Sequence, residues 1–572
     1  MNDDILREIR RVLLDLPAVE KETFDDFLAR ANARLLAEHN PRLQNLLPGP
    51  AREHALWQPD HERQTLPVLI GLWVRSRGQN ERIRMLQELI RHPTINQKGT
   101  KTPGTGPAFS ALQKSLEDAA VRTGLELHDV EKIAFEIGKP WNANPPELSN
   151  MVGFLVHADV VPADEEGWTT NPFEPNLENG RISGRGSLDD KGPLVAVFSA
   201  LDGVIHNGLP FLKKAPVLII GTSEETHWAG IERFQEVRGT PGMTVVTDAN
   251  FPVGVGEKGV ASVRIEAKGS HKRSKQDEQN VVKKAKLKLI HIQGGQVSNQ
   301  VPASATAEFL VPVNVDADAL FNHLQNRIAV RAKDWETFSA TLTRKDATKD
   351  EGQEPQKVYF HLATMGVAAH SADPHLGRNA LTDLTAFIAR EMDTQSSPCI
   401  KVLRAIDKKL GRDFAGKGLG LDDKHPRFSP STINLGTIRP LEQGGCKITL
   451  NLRWPPPRSA KEVVDVVGKN FSELDADISV TGGGLDPFLQ SDDTALVLAL
   501  QKAYSIVTGK PADPVTVSGT TYAKAVKGAV TFGPEPSGDH HSRMHAPNEY
   551  ITVDELNDLA EMYANAMMAL CM

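Results

Sequence analysis

The sequence predicts an α/β fold: a domain with a mixed sheet flanked by helices, an inserted α+β domain, and an N-terminal helical extension. Three observations carry this. Short apolar runs in MVGFLVHAD, APVLIIGTSEE and TVVTDAN stop abruptly at acidic or histidine residues. Such runs mark strands buried on both faces, as in a parallel sheet. Between about 261 and 455 the texture changes to alternating strand-like strings broken by two helical segments, which reads as an α+β domain inserted into the first. The chain also has 572 residues, more than one hydrophobic core supports.

In chain order, residues 1–81 form the helical extension. Phe24, Phe27, Leu28, Ala31, Leu35 and Leu36 recur at helical spacing, and LLPGPAREH breaks the pattern. An accessory helical cap is the preferred reading over an oligomerisation arm. Residues 82–260 form the first part of the α/β domain: MLQELIRH is a helix, and the buried strands follow. Their polar ends meet at one sheet edge, where open α/β folds bind ligands. Residues 261–455 form the inserted α+β domain. Its strands are VRIEAKG, KLKLIHIQGG, ATAEFLVPV, FSATLTR, KVYFHLATMGVAAHS and KITLNLRW, and its helices ALFNHLQNRIAV and ALTDLTAFIAREM. Residues 456–572 return to the α/β domain, with helices ALVLALQKAYSIVTG and VDELNDLAEMYANAMMAL around the strand GAVTFGP.

Composition narrows the function classes. The net charge of −8 argues against a general nucleic-acid binder. The basic run Lys272 to Lys288 is interrupted by Asp277 and Glu278 and reads as a solvated loop. No apolar run approaches the ~18 residues of a membrane span. The start MNDDILREIRRVLLDLPAVEKETFDDF has no apolar core followed by a small-residue cleavage site. Three cysteines, Cys399, Cys446 and Cys571, without CxxC spacing, exclude a disulfide framework or a thiolate zinc site. A cytoplasmic protein is expected, with no membrane or nucleic-acid partner, as a monomer or homodimer.

The chemistry lies in the polar strand ends: His157 and Asp159, Asp189 and Asp190, Glu224 and Glu225, Asp248, and His545 in SRMHAPNEY. Clustered carboxylates repel one another and are costly to desolvate unless paired or metal-bound. His157 and Asp159 share one face of a strand, so the Asp can buttress the imidazole and fix its tautomer. A carboxylate such as Asp189 can bridge two cations about 3.5 Å apart. Of the adjacent Glu224 and Glu225, one can ligate while the other takes a proton from water. With only nitrogen and oxygen donors, two zinc ions are expected, and manganese or cobalt also suit.

From about residue 82 to the end, the chain resembles the di-zinc exopeptidase family of dipeptidase V, carnosinase, glutamate carboxypeptidase, acetylornithine deacetylase and succinyl-diaminopimelate desuccinylase. The likeness is strongest to the Xaa-His (carnosinase-like) dipeptidases. It rests on HADVVPADEEGWTTNPFEP, GRGSLDDKGP, GTSEETHWAG, DANFPVGVGEKG, NQVP, AAHSADPHLGRNAL, NLRWP, SGTTYAK and MHAPNEY, in this order. The resemblance implies that His157, Asp189 and Asp248 hold one metal and that Asp189, Glu225 and His545 hold the other. Glu224 matches the general base, Asp159 the buttress of His157, and His370 the histidine that stabilises the oxyanion. Asn299, Arg453, Gly519 and Thr520 match substrate-binding positions, Arg453 gripping a terminal carboxylate through a bidentate fork. Ser518 stands where the family's loop has its first glycine. The D-x-K-G pattern favours Asp189 over Asp190 as the bridge, and the position before APNEY favours His545 over His540 and His541. His206, His227, His361 and His375 are given no role. The implied activity is metal-dependent hydrolysis of short peptides, with Glu224 activating the water that attacks the scissile carbonyl. The alternative is an N-acyl amino acid deacylase on the same scaffold.

Overall fold

A computed structural model describes residues 3–43, 46–47, 61–97, 104–140, 146–163, 167–208, 211–226, 228–269, 286–346, 357–536 and 543–572. Most of the basic run from Lys272 lies outside these residues. The chain divides into two compact units, Met1–Gly256 with Gln490–Met572, and Glu257–Leu489.

The first unit is built on a mixed sheet. Its strands run Glu126–Val130, Ala134–Gly138, Ala215–Gly221, Met151–His157, Met243–Val246, Val530–Thr531 and Gly254–Glu257. The central members Ala215–Gly221, Met151–His157, Met243–Val246 and Val530–Thr531 are parallel, so their carboxyl ends share one edge. Every residue of Met151–His157 is buried, which explains its unbroken apolar run.

Helix Val553–Cys571 packs against His61–Ser76 and Lys191–Gly208 and is buried along almost its whole length. A capping box between Thr552 and Glu555 starts it, satisfying two of its unpaired amide groups. The described N-terminal helices pack into this unit. Leu6, Ile9, Val12, Phe24, Phe27 and Leu28 join the same core as the sheet and Val553–Cys571. One buried ion pair fixes that attachment: Arg10 donates from Nε and Nη2 to the two oxygens of Glu561, at 2.5 and 2.9 Å.

The second unit is an antiparallel sheet. Its order is Ala340–Asp346, Val358–Met365, Ser304–Leu310, Lys288–Gly294, Thr432–Leu441, Gly445–Trp454, Gly259–Ala267 and Asp477–Leu485. Its two four-stranded halves meet at a single register pair, Gly294 with Ile438. Helices Ala380–Glu391, Pro398–Lys409 and Ala460–Asn470 contribute buried apolar residues to its core. This unit extends to Leu489 rather than ending at 455. The reason is pairing: Asp477–Leu485 adds antiparallel to Gly259–Ala267, and Ala460–Asn470 buries Val463 and Val467 in the second core.

Arg10→Ala is expected to cost about 3 kcal/mol of stability, because Glu561 stays buried with only Arg75 near it, at 3.5 Å. The urea midpoint should fall at unchanged slope. A loss under about 0.5 kcal/mol would mean that apolar packing alone holds the cap.

Candidate metal centre

Three neighbouring parallel strands deliver acids and an imidazole to one edge of the first unit. His157 ends Met151–His157, Glu224 and Glu225 follow Ala215–Gly221, and Asp248 follows Met243–Val246. Asp189 lies just before helix Lys191–Gly208, and His545 in the loop before strand Tyr550–Thr552.

Two sets of donor atoms result. His157, Asp189 and Asp248 offer atoms all within 4.8 Å of one another, and so do Asp189, Glu225 and His545. Asp189 belongs to both: Oδ1 lies 2.8 Å from His157 Nε2, and Oδ2 lies 2.9 Å from His545 Nε2. His545 Nε2 is also 2.9 Å from Glu225 Oε1, and His157 Nε2 is 3.8 Å from Asp248 Oδ2. Glu224 forms a further set with His157 and Glu225. Asp190 is in none of these. Its carboxylate turns back to accept the His157 main-chain N–H at 3.0 Å.

Asp159 does more than the simple buttressing that the strand period suggests. His157 Nδ1 lies 2.9 Å from the main-chain carbonyl of Asp159 and 3.6 Å from its carboxylate. An imidazole N–H donated to a carbonyl still fixes the tautomer and leaves Nε2 to face the acids. The carboxylate is used elsewhere. It accepts the main-chain N–H of Glu224 at 3.0 Å and of Glu225 at 3.1 Å, and the Asn96 side-chain amide at 3.2 Å. One residue thus orients an imidazole through its backbone and two glutamates through its side chain.

The electrostatics are those of a crowded acid cluster. Burial, reinforced by Asp189, pushes the Asp248 carboxyl up to about 8. Burial and Asp248 raise Glu224 well above the usual carboxylate range. Burial alone would lower His157, but Asp159, Asp189 and Asp248 outweigh it and raise the imidazole well above its ordinary value. Cationic charge is therefore favoured at the centre, and the nitrogen and oxygen donors fit zinc, manganese or cobalt.

Sequence reasoning missed three supports. Asn96 bridges the Asp159 carboxylate and the Thr222 carbonyl. The buried Tyr522 hydroxyl accepts the Ser223 N–H at 3.2 Å, tying the SGTT loop to the glutamate loop. Glu549, inside the quoted string MHAPNEY, is fully enclosed. Only tertiary pairing reveals these roles, although Tyr522 and Glu549 sit in motifs already singled out.

Of the proposed substrate positions, Gly519 and Thr520 lie in this unit, half-buried, after strand Val515–Val517. Gly519 has no left-handed backbone, and a Cβ there would meet only Val517, at 3.4 Å. Nothing in the described chain demands a glycine at this position.

Asn299, His370 and Arg453 lie in the second unit, and a chain of bonds through Ser371 and Asn451 links Asn299 to Arg453. The Ser371 N–H donates to the Asn299 carbonyl at 2.9 Å, and Ser371 Oγ donates to Asn451 Oδ1 at 2.7 Å. That same oxygen accepts Arg453 Nε at 3.4 Å. Burial pulls the Arg453 guanidinium down to about 10, opposed by Glu257 and Asp373, so it stays charged near neutrality. His370 Nδ1 accepts the Ala372 N–H at 3.3 Å. His206 meets the Thr123 carbonyl at 2.8 Å at the surface, and His361 and His375 are exposed. His227, His540 and His541 lie outside the described residues.

Residues 153–569 match peptidase family M20/M25/M40, and the chain belongs to that family. It is a dipeptidase-like metallopeptidase. It is 31% identical to the Bacillus subtilis protein named "Putative dipeptidase YtjP" over 501 residues, 86% of this chain and 98% of that one. A Staphylococcus epidermidis relative with the same dipeptidase description is 29% identical over 498 residues, covering 86% and 97% of the two chains. Among solved structures, human carnosine dipeptidase 1 aligns with a TM-score of 0.48 and 15% identity, covering 88% of this chain and 99% of that one. Among the described residues, no helix is long and apolar enough to cross a membrane.

Asp189→Ala removes the one carboxylate common to both donor sets. The variant is expected to lose both divalent ions on dialysis under conditions where the wild type keeps them. Metal analysis of the dialysed protein checks this, and two retained ions would put the shared ligand elsewhere, with Asp190 the first suspect.

Proposed function

We propose that the protein is a di-zinc dipeptidase. The observation that carries this reading is Asp189, one carboxylate common to two donor sets, with Glu224 beside both. In this reading His157, Asp189 and Asp248 hold one ion, and Asp189, Glu225 and His545 the other. Two such ions, when bound, supply a Lewis acid for the scissile carbonyl and make water acidic enough to ionise near neutrality.

The chain's own residues do the rest. Glu224 takes a proton from the attacking water and later gives it to the leaving amine. Its place beside both donor sets suits that acceptor role. Asp159 holds the backbone of Glu224 still, so the carboxylate keeps its aim through both transfers. The Ala372 N–H on His370 Nδ1 favours the tautomer with its proton on Nε2, which can then donate to the developing oxyanion. The Arg453 fork receives the substrate's terminal carboxylate, and Asn299 binds the substrate alongside it. Gly519 and Thr520 offer backbone to the peptide, and the space at Gly519 supports that use. The dipeptidase descriptions of the relatives support the substrate class.

The direct test compares free-amine dipeptides with N-acetyl amino acids, assayed with zinc, manganese and cobalt. Faster cleavage of dipeptides is expected. Selective cleavage of N-acetyl substrates would make the protein a deacylase instead. Glu224→Gln should keep both ions and lower kcat at least ~100-fold, since the amide cannot accept the proton. Near-normal kcat at full metal content would remove Glu224 from that role. Arg453→Lys keeps the charge but loses the planar fork, so KM for dipeptides should rise while the melting temperature changes little. An unchanged KM would assign the carboxylate to another residue.

A further inference from the structure

Glu549 lies four residues after His545 and is buried, at 1% exposure. Its carboxylate organises a different part of the chain. Oε1 accepts the main-chain N–H groups of Leu188 at 2.8 Å and Asp189 at 3.0 Å. Oε2 accepts the main-chain N–H of Gly186 at 3.2 Å and the Arg185 guanidinium at 2.6 Å. The main chain joins in, with the Gly184 N–H donating to the Glu549 carbonyl at 2.9 Å. The second Arg185 nitrogen, Nη2, donates to the carbonyl of His545 at 3.2 Å. Arg185 is itself 3% exposed and lies over the Trp168 ring, 5.2 Å from its centroid.

We propose that Glu549 and Arg185 form a positioning clamp for the ion pair, setting the shared carboxylate of Asp189 and the imidazole of His545 at one separation. Neither residue offers an atom to the donor sets. The backbone of one ligand hangs from Glu549, and the backbone of the other hangs from Arg185. The clamp joins ligands more than 350 positions apart in sequence, one from each half of the interrupted catalytic unit. A carboxylate suits the task because all four of its contacts are donors. An amide of the same shape would turn an NH2 toward two of them, leaving buried N–H groups facing a donor. Partners of this kind, one bond removed from a metal ligand, typically change affinity by about 10–100-fold when lost.

This inference rests on the reading that Asp189 and His545 hold ions. The full-length chain, stripped by chelator, is titrated with Co2+ and followed by the visible cobalt absorption and by metal analysis. The wild type is expected to take up two equivalents; fewer would sink the ion-site reading, and the clamp with it. Against a two-equivalent wild type, Glu549→Gln should need at least about tenfold more Co2+ to fill the pair, with an altered spectrum. A titration within twofold of wild type overturns the clamp while leaving the ion sites standing. Should Glu549→Gln fail to fold, Arg185→Lys carries the test with the same two outcomes, because lysine pairs with Glu549 but lacks the fork that also reaches His545. Arg10→Ala is the stability control: it weakens the same unit through Glu561, which bonds neither clamp residue nor either ligand, and should titrate like wild type. If it raises the Co2+ requirement as much as Glu549→Gln does, general loosening explains the effect and the clamp is wrong.

Discussion

Acids that would repel one another are held out of water at a single sheet edge, and much of the first unit exists to keep them there. Asp189, Glu224, Glu225 and Asp248 are largely enclosed, with two imidazoles among them. Burial opposes their ionisation and proximity opposes it further. Parallel strands enforce the proximity, because their carboxyl ends cannot avoid meeting. The cost is offset by directed hydrogen bonds, such as the Asp159 carboxylate on the glutamate backbone, and by cationic charge at the centre.

The scaffold is stiff where the acids need it. The central strands have no water-exposed face, and helix Val553–Cys571 is packed from several sides. The N-terminal helices add to this mass through apolar contacts and the Arg10–Glu561 pair. Rigid elements hold side chains to closer tolerances than loops do. His545 is the most exposed of the donor residues, with half its side chain open to solvent, at 52%. It is the residue whose aim depends most on bonds made by others.

What the sequence made legible follows from its physics. Apolar runs ending in acids announced the buried parallel strands, since burial on both faces leaves no room for alternation. Alternation announced most of the second sheet. The strand Asp477–Leu485 was missed because it is mostly exposed and ends in GGGL, with no buried side to leave a pattern. That omission moved the expected end of the insertion from 489 back to 455. Backbone bonding was equally invisible. The HxD spacing suggested a carboxylate on His157; the Asp159 carbonyl lies nearer its Nδ1, at 2.9 Å against 3.6 Å, and the carboxylate also takes the backbone of the two glutamates. Glu549 sat inside a recognised string, but its partners lie about 360 residues upstream and could be found only in three dimensions.

The central claim is that Asp189 is shared between two cations. It is tested most directly by crystals of the full-length protein grown with Zn2+ and measured at the zinc absorption edge. Two anomalous peaks about 3.5 Å apart are expected. One should be bounded by His157, Asp189 and Asp248, and the other by Asp189, Glu225 and His545. A single peak, or a pair in which Asp189 touches only one ion, would contradict the account.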